Sequence, residues 1–145
     1  MLKSYPFLST PADGYEGAFS PDGRWVAYVS NETGSYEIYV RPFPPSNRGK
    51  WLVSKGGALL EGWRQDGKEL VYLTSDGSLM SVPVTTSPAF EAREPELLFK
   101  PPSNAIVIGQ TPDFKMFLVA VPIQQAASTP EPFTVVLNWT SLPKK

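Results

Sequence analysis

Short stretches in which nearly every position is apolar recur along the chain, each bounded by Gly, Pro, Asn, Asp or Ser. Trp-Val-Ala-Tyr-Val-Ser at 25–30 and Glu-Leu-Val-Tyr-Leu-Thr at 69–74 are the clearest. In an extended chain successive side chains point to opposite faces. Trp25, Ala27 and Val29 therefore share one face, and Val26, Tyr28 and Ser30 the other. Both faces are largely apolar, which predicts strands covered on both sides. No segment combines caps with an apolar stripe of helical period, so no helix is expected. The predicted strands run over 15–19, 25–30, 36–41 and 51–54, then 59–63, 69–74, 78–84 and 96–99, then 105–110, 114–122 and 133–139.

A turn recurs in register with these strands. Ser20-Pro21-Asp22-Gly23 introduces the strand at 25, Arg64-Gln65-Asp66-Gly67 the strand at 69, and Thr111-Pro112-Asp113-Phe114 a weaker third. Pro21 and Pro112 take the second position of a type I turn, where proline's fixed φ of about −65° fits. Gly23 and Gly67 supply the left-handed residue that such hairpins require. Phe114 stands where the third glycine belongs. Either that turn changes type or the residue is strained, at a cost of about 1 kcal/mol. The aspartates lie 44 and 47 positions apart, close to the period of a four-stranded β-propeller blade. The expected fold class is all-β, with about three blades of four antiparallel strands.

The two ends of the chain complement one another. A single domain over 1–145 is expected, with blades over 11–56 and 57–102, a partial blade over 103–145 and a spare outer strand in 1–10. Pro6-Phe7-Leu8-Ser9-Thr10 resembles Lys50-Trp51-Leu52-Val53-Ser54, the outer strand before the second blade. Propellers have roughly four to eight blades, so three do not close. Two copies arranged head to tail would give six, each N-terminal strand completing the other chain's third blade, in a C2 ring. The expected partner is therefore a second copy, engaged through residues 6–10. The alternative is an excised piece of a longer propeller.

Composition narrows the function classes. Charged residues make up 19% with a net charge of −1, which leaves no electrostatic footprint for nucleic acid. No apolar run approaches the roughly 20 residues of a membrane span, so no membrane insertion is expected. The opening residues lack the apolar stretch of a signal peptide. Histidine and cysteine are both absent. That removes the commonest general base and metal ligand, any disulfide, and any reading of the compartment from redox chemistry. No cofactor motif is present.

Phe19-Ser20-Pro21-Asp22-Gly23-Arg24-Trp25-Val26-Ala27-Tyr28 and Ile38-Tyr39-Val40-Arg41-Pro42-Phe43-Pro44 resemble the WD40-like repeat of TolB-type six-bladed propellers. Gly56-Gly57, Trp63, Asp66-Gly67-Lys68-Glu69-Leu70, Tyr72-Leu73 and Leu79-Met80-Ser81-Val82-Pro83-Val84 look more closely like the C-terminal propeller of bacterial Ser/Thr protein kinases of the acidobacterial sort. The ending Val135-Val136-Leu137-Asn138-Trp139 does too. The resemblance covers nearly the whole chain. It implies a sensing or partner-binding propeller and leaves an extracytoplasmic setting open. Phe114 and the short segment between Phe99 and Ala105 depart from the pattern. The repeat serves unrelated functions, so the resemblance bears on fold far more than on activity.

Candidate chemistry is sparse. Asp22, Asp66 and Asp113 recur as if to ring a cation, but their spacing fits capping of their own turns, so Pro21, Asp22, Gly23, Asp66, Gly67, Pro112 and Asp113 are read as a structural motif. No metal site is expected, because a hard cation needs several converging oxygens. No serine has a partnering base, and Glu94 and Glu96 flank Pro95 in a solvated loop, so no catalytic residues are expected. Asn31-Glu32-Thr33 and Asn138-Trp139-Thr140 match the glycosylation pattern, a common coincidence. Trp25, Trp51, Trp63 and Trp139 are read as core. A propeller binds at one end of its ring, which nominates loop residues Asp13, Asn31, Glu32, Lys55 and Asp76 for a protein or peptide ligand. The expected function is a non-enzymatic binding and assembly module. The alternatives are a kinase-linked sensor fragment without its own ligand and the accessory propeller of a hydrolase.

Overall fold

The structure is a computed structural model and describes residues 6–8, 11–47, 49–122 and, as backbone, 134–137. Among the described residues twelve strands form three antiparallel sheets, and there is no helix. The first sheet has the order β1-β2-β3-β4, from Gly14–Phe19, Trp25–Ser30, Glu37–Pro42 and Trp51–Leu52. The second comprises β5 Gly57–Trp63, β6 Glu69–Thr74, β7 Leu79–Thr85 and β8 Glu91–Ala92 in that order, with β9 Glu96–Phe99 also on β7. The third has β10 Ile106–Gln110, β11 Met116–Ala120 and β12 Thr134–Leu137. Each sheet is one blade.

Several bounds differ from the sequence expectation for local reasons. β4 is shorter because the Ser54 side chain replaces the ladder: Val53 N–H donates to the Ile38 carbonyl, then Ile38 N–H donates to Ser54 Oγ at 2.8 Å. β8 was not expected; it forms because the chain after β7 folds back, pairing Val84 with Ala92 and Thr85 with Glu91. The outer strand expected over 96–99 is present with those bounds as β9. β11 stops at Ala120. Pro6, Phe7 and Leu8 lie outside any strand of their own chain. Ser9, Thr10, Asn138 and Trp139 lie outside the described residues.

The blades stack through alternate residues of their second strands. Ala27 and Val29 of β2 meet Leu70 and Tyr72 of β6 in one core, with Ile38, Val40, Val82 and Val84 beside them. Val71, on the other face of β6, meets Phe117 and Val119 of β11 in a second core. A blade thus presents the Ala27-type positions forward to the next blade and the Leu70-type positions rearward to the previous one. Each such fully buried side chain contributes about 1.5–3 kcal/mol.

The third turn keeps its type. Phe114 N–H donates to the Thr111 carbonyl at 2.8 Å, as Gly23 and Gly67 do to Ser20 and Arg64. Phe114 accepts φ 54° because its ring is buried and stacked on Phe117, centroids 6.1 Å apart.

Candidate functional site

The inner strands β1, β5 and β10 share an extra residue followed by a glycine, Glu16 before Gly17, Glu61 before Gly62 and Ile108 before Gly109, and β5 has a second irregularity between Gly57 and Leu59. Such bulges bend a strand and re-aim the side chain that has no ladder partner. Glu16 uses this to cross between blades, its carboxylate accepting from Leu60 N–H at 2.8 Å. Burial pushes the Glu61 carboxyl up to about 7, with the Glu16 charge adding to the rise. Neither glutamate was nominated from the sequence, although the Glu-Gly pair before both Phe19 and Trp63 was there to be seen.

The loops nominated from the sequence pair within each blade. Asp13 and Asn31 are joined twice, by Asp13 N–H to Asn31 Oδ1 at 2.9 Å and by Asn31 N–H to the Asp13 carbonyl at 3.1 Å. In the second blade the Lys55 and Asp76 loops meet where Ser75 N–H donates to the Gly56 carbonyl. The charged ends are engaged one by one: Glu32 with Lys50, Lys55 with Glu94, and Asp76 with Lys100 at 2.7 Å. Asp76 is held below the usual carboxylate range by bonds from Lys100, Thr74 and Ser78. Lys55 is raised by its bond to Glu94. The five residues therefore stand as separate pairs and do not converge. A further carboxylate fixes this end of the molecule: Glu37 accepts from Gly56 N–H and Gly57 N–H, each at 3.0 Å, and from Ser54 Oγ–H.

The turn aspartates bond their own loops. Asp66 accepts from Lys68 N–H at 3.0 Å and from Arg64 Nε–H and Nη2–H at 2.8 Å, and the Arg64 bonds lead the lowering of its pKa. Asp113 accepts from Thr111 Oγ–H and Lys115 N–H and is lowered in the same order. Asp22 is lowered too, because bonds from Ser20 and Arg24 outweigh a desolvation that acts the other way. Among the described residues no three acidic groups converge on a common point.

At the opposite end an aromatic cleft of about 720 Å³ opens between the first two blades. Trp25, Trp51 and Phe90 pack mutually at 5.2–5.5 Å, with Phe43 and Pro44 on the rim. Trp51 belongs to the outer strand of the first blade, and Phe90 to the loop after the third strand of the second.

Among the described residues the stack leaves two unmatched faces. Trp63 and Phe19 hold the same register, opposite Leu70 and Val26. Trp63 is 9% exposed and donates its indole N–H to the Ala18 carbonyl of the preceding blade at 3.0 Å, whereas Phe19 is 56% exposed. Gln110, opposite Phe117 in the third blade, likewise reaches back to the Glu61 carbonyl at 2.7 Å. On the forward side of the third blade Met116 is 40% and Ile106 62% exposed.

No protein-family model matches the chain, and no curated protein matches it in sequence. Solved structures match it in fold. TolB from Acinetobacter baumannii superposes with a TM-score of 0.55 at 24% identity, over 78% of this chain and 28% of that one. The chain is built of β-propeller blades. An oligogalacturonate lyase from Vibrio parahaemolyticus gives a TM-score of 0.53 at 14% identity, over 77% of this chain and 31% of that one. At these identities the likeness is one of fold, and the blades span less than a third of either protein's length.

Proposed function

We propose that this chain is a non-catalytic propeller module that recognises a protein or peptide and self-associates to complete a six-bladed ring. The observation that carries the reading is the pair of unmatched faces. The rear of the first blade offers Phe19 where the second blade seats Trp63, and the forward side of the third offers Met116 and Ile106 without a following blade. A heterologous contact that closes after a half turn pairs these faces twice. The ligand surface of the reading is the loop end carrying Asp13, Asn31, Glu32, Lys55 and Asp76. Its ion pairs are solvent-exposed and can exchange partners cheaply. The absence of histidine and cysteine from the sequence, together with the separate pairing of the acidic groups, favours binding over catalysis. Native mass spectrometry of the full chain tests the assembly: twice the 16.0 kDa chain mass is expected, and a monomer at every concentration contradicts it.

A second reading places these blades behind a kinase domain as its sensor. The run from Gly56 through Val84 and the Val135-Val136-Leu137 strand favour it. A kinase sequence continuous with Met1 in the genomic reading frame would support that setting, and an intergenic stop codon would oppose it.

A further inference from the structure

We infer that the segment carrying Phe7 and Leu8 is the fourth strand of a partner copy's third blade, so that the ring closes by exchange of strands. The inference rests on the ring reading above and specifies its seam. Three observations carry it.

First, Phe7 sits on the first blade as Trp51 sits on the second. Trp51, from the outer strand of one blade, packs against Phe90 in the loop after the next blade's third strand, 5.2 Å between centroids. Phe7 packs against Phe43, in the corresponding loop of the first blade, at 6.3 Å, and edge-on to Tyr28 at 5.7 Å. Tyr28 holds the same place after its turn as Tyr72, which the first blade covers. Phe7 therefore occupies the seat of a preceding blade's outer strand while pairing with none of the described strands.

Second, a strand edge is open to it. β12 pairs with β11 alone among the described strands, and an unpaired edge presents a row of backbone donors and acceptors. Third, the flanking surfaces match in kind. The exposed Met116 and Ile106 are forward-facing apolar positions, and Phe19 lies on the rear face where the stack within this chain buries Trp63. A second copy supplies at this seam the same kind of surface that the chain uses at its two internal seams.

The register follows from the first blade. There Val40 pairs with Trp51 and Tyr39 with Leu52, while Ala27 and Tyr28 of β2 pair with Val40 and Tyr39. In the third blade the matching positions of β11, Leu118 and Val119, pair with Val135 and Thr134. The exchanged strand thus sets Phe7 beside Val135 and Leu8 beside Thr134 of the partner.

The natural chain has no cysteine, so an engineered pair reports cleanly. Leu8→Cys with Thr134→Cys, oxidised in the full-length chain, should give a disulfide-linked dimer in several-fold higher yield than the offset control Leu8→Cys with Leu137→Cys. Phe7→Ala without cysteines should weaken the dimer about tenfold. Equal yields from the two cysteine pairs, a disulfide closed within one chain, or no cross-link in a reduced-state dimer of unchanged mass would overturn the strand exchange and leave self-association standing. A parent chain that is monomeric by mass would overturn both.

Discussion

Phe19 and Trp63 end their inner strands at the same register, one opposite Val26 and the other opposite Leu70, yet Trp63 is buried and Phe19 is not. The difference lies in what stands behind each strand. Trp63 has the first blade behind it and bonds the Ala18 carbonyl; among the described residues no blade stands in that place behind Phe19. Their energetic weights should differ accordingly. Trp63→Ala should cost about 3–5 kcal/mol in chemical denaturation, the range for truncating a buried large aromatic. Phe19→Ala should cost the dissociated chain only about 0.5–1.5 kcal/mol, the worth of its edge-on contact with Phe43 at 4.8 Å. Equal losses would contradict the assignment of forward and rear faces.

Glu61 makes stability depend on pH in the direction opposite to ordinary acid denaturation. Its carboxyl titrates at about 7 in the fold against 4.5 when unfolded. Below pH 4 the group is protonated in both states and has no effect. As the pH rises from about 4.5 to about 7, the unfolded chain ionises first and the fold loses stability. Glu61→Gln should remove this loss, giving a gain on the order of 1 kcal/mol above pH 7.5 that fades to nothing at pH 4. Thermal melts of both chains across this range check it; a gain that does not vary with pH would contradict the prediction.

Asp66 behaves in the reverse sense. Its folded pKa is lowered, chiefly by Arg64, so its contribution is present above the unfolded value of 3.8 and is lost as the pH falls through the depressed folded value. Asp66→Ala should cost about 0.5–1.5 kcal/mol at pH 7, the worth of a turn hydrogen bond. Urea titrations should show the two chains converging as the pH is lowered past that range; a cost that persists undiminished in acid would count against the capping role.

Phe114 sets a conformational cost against burial. Phe114→Gly would relieve a left-handed residue, worth about 1 kcal/mol, but would empty its place beside Phe117, worth about 3–5 kcal/mol. A net loss of about 2–4 kcal/mol is expected in denaturation. A stabilised glycine variant would show that strain outweighs packing there.

β2 and β6 could be read from the sequence to the residue because both of their faces are apolar and an Asp-Gly turn fixes where they begin. Phe114 shows the limit of that rule. The glycine preference marks the cheapest left-handed residue, and a ring with a buried place to go overrides it. β8 was missed because Glu91 and Ala92 carry no strand signal and pair only since the chain after Thr85 happens to double back. The bulges at Glu16, Glu61 and Ile108 are established by the pairing, where one strand has a residue more than its neighbour; the Glu-Gly pairs at 16–17 and 61–62 are their one trace in the sequence. The nominated loop residues stand in separate pairs, and some of their partners lie at distances in sequence that no local pattern reports: Lys55 meets Glu94, 39 positions away. The aromatic cleft was hidden for the same reason, since Trp25, Trp51 and Phe90 come from three separate elements, each of which reads alone as core.

The most direct test of head-to-tail ring completion is sedimentation velocity on two charge-inserted chains, separately and mixed. Met116→Asp blocks the forward face of the third blade, and Phe19→Asp the rear face of the first; both positions are exposed in the single chain. Each variant alone has a damaged face at both seams of the ring and should sediment as a monomer where the parent chain is a dimer. An equimolar mixture retains one seam between an intact forward and an intact rear face and should recover a dimer peak. Dimers of either variant alone, or a mixture that stays monomeric, would contradict the account.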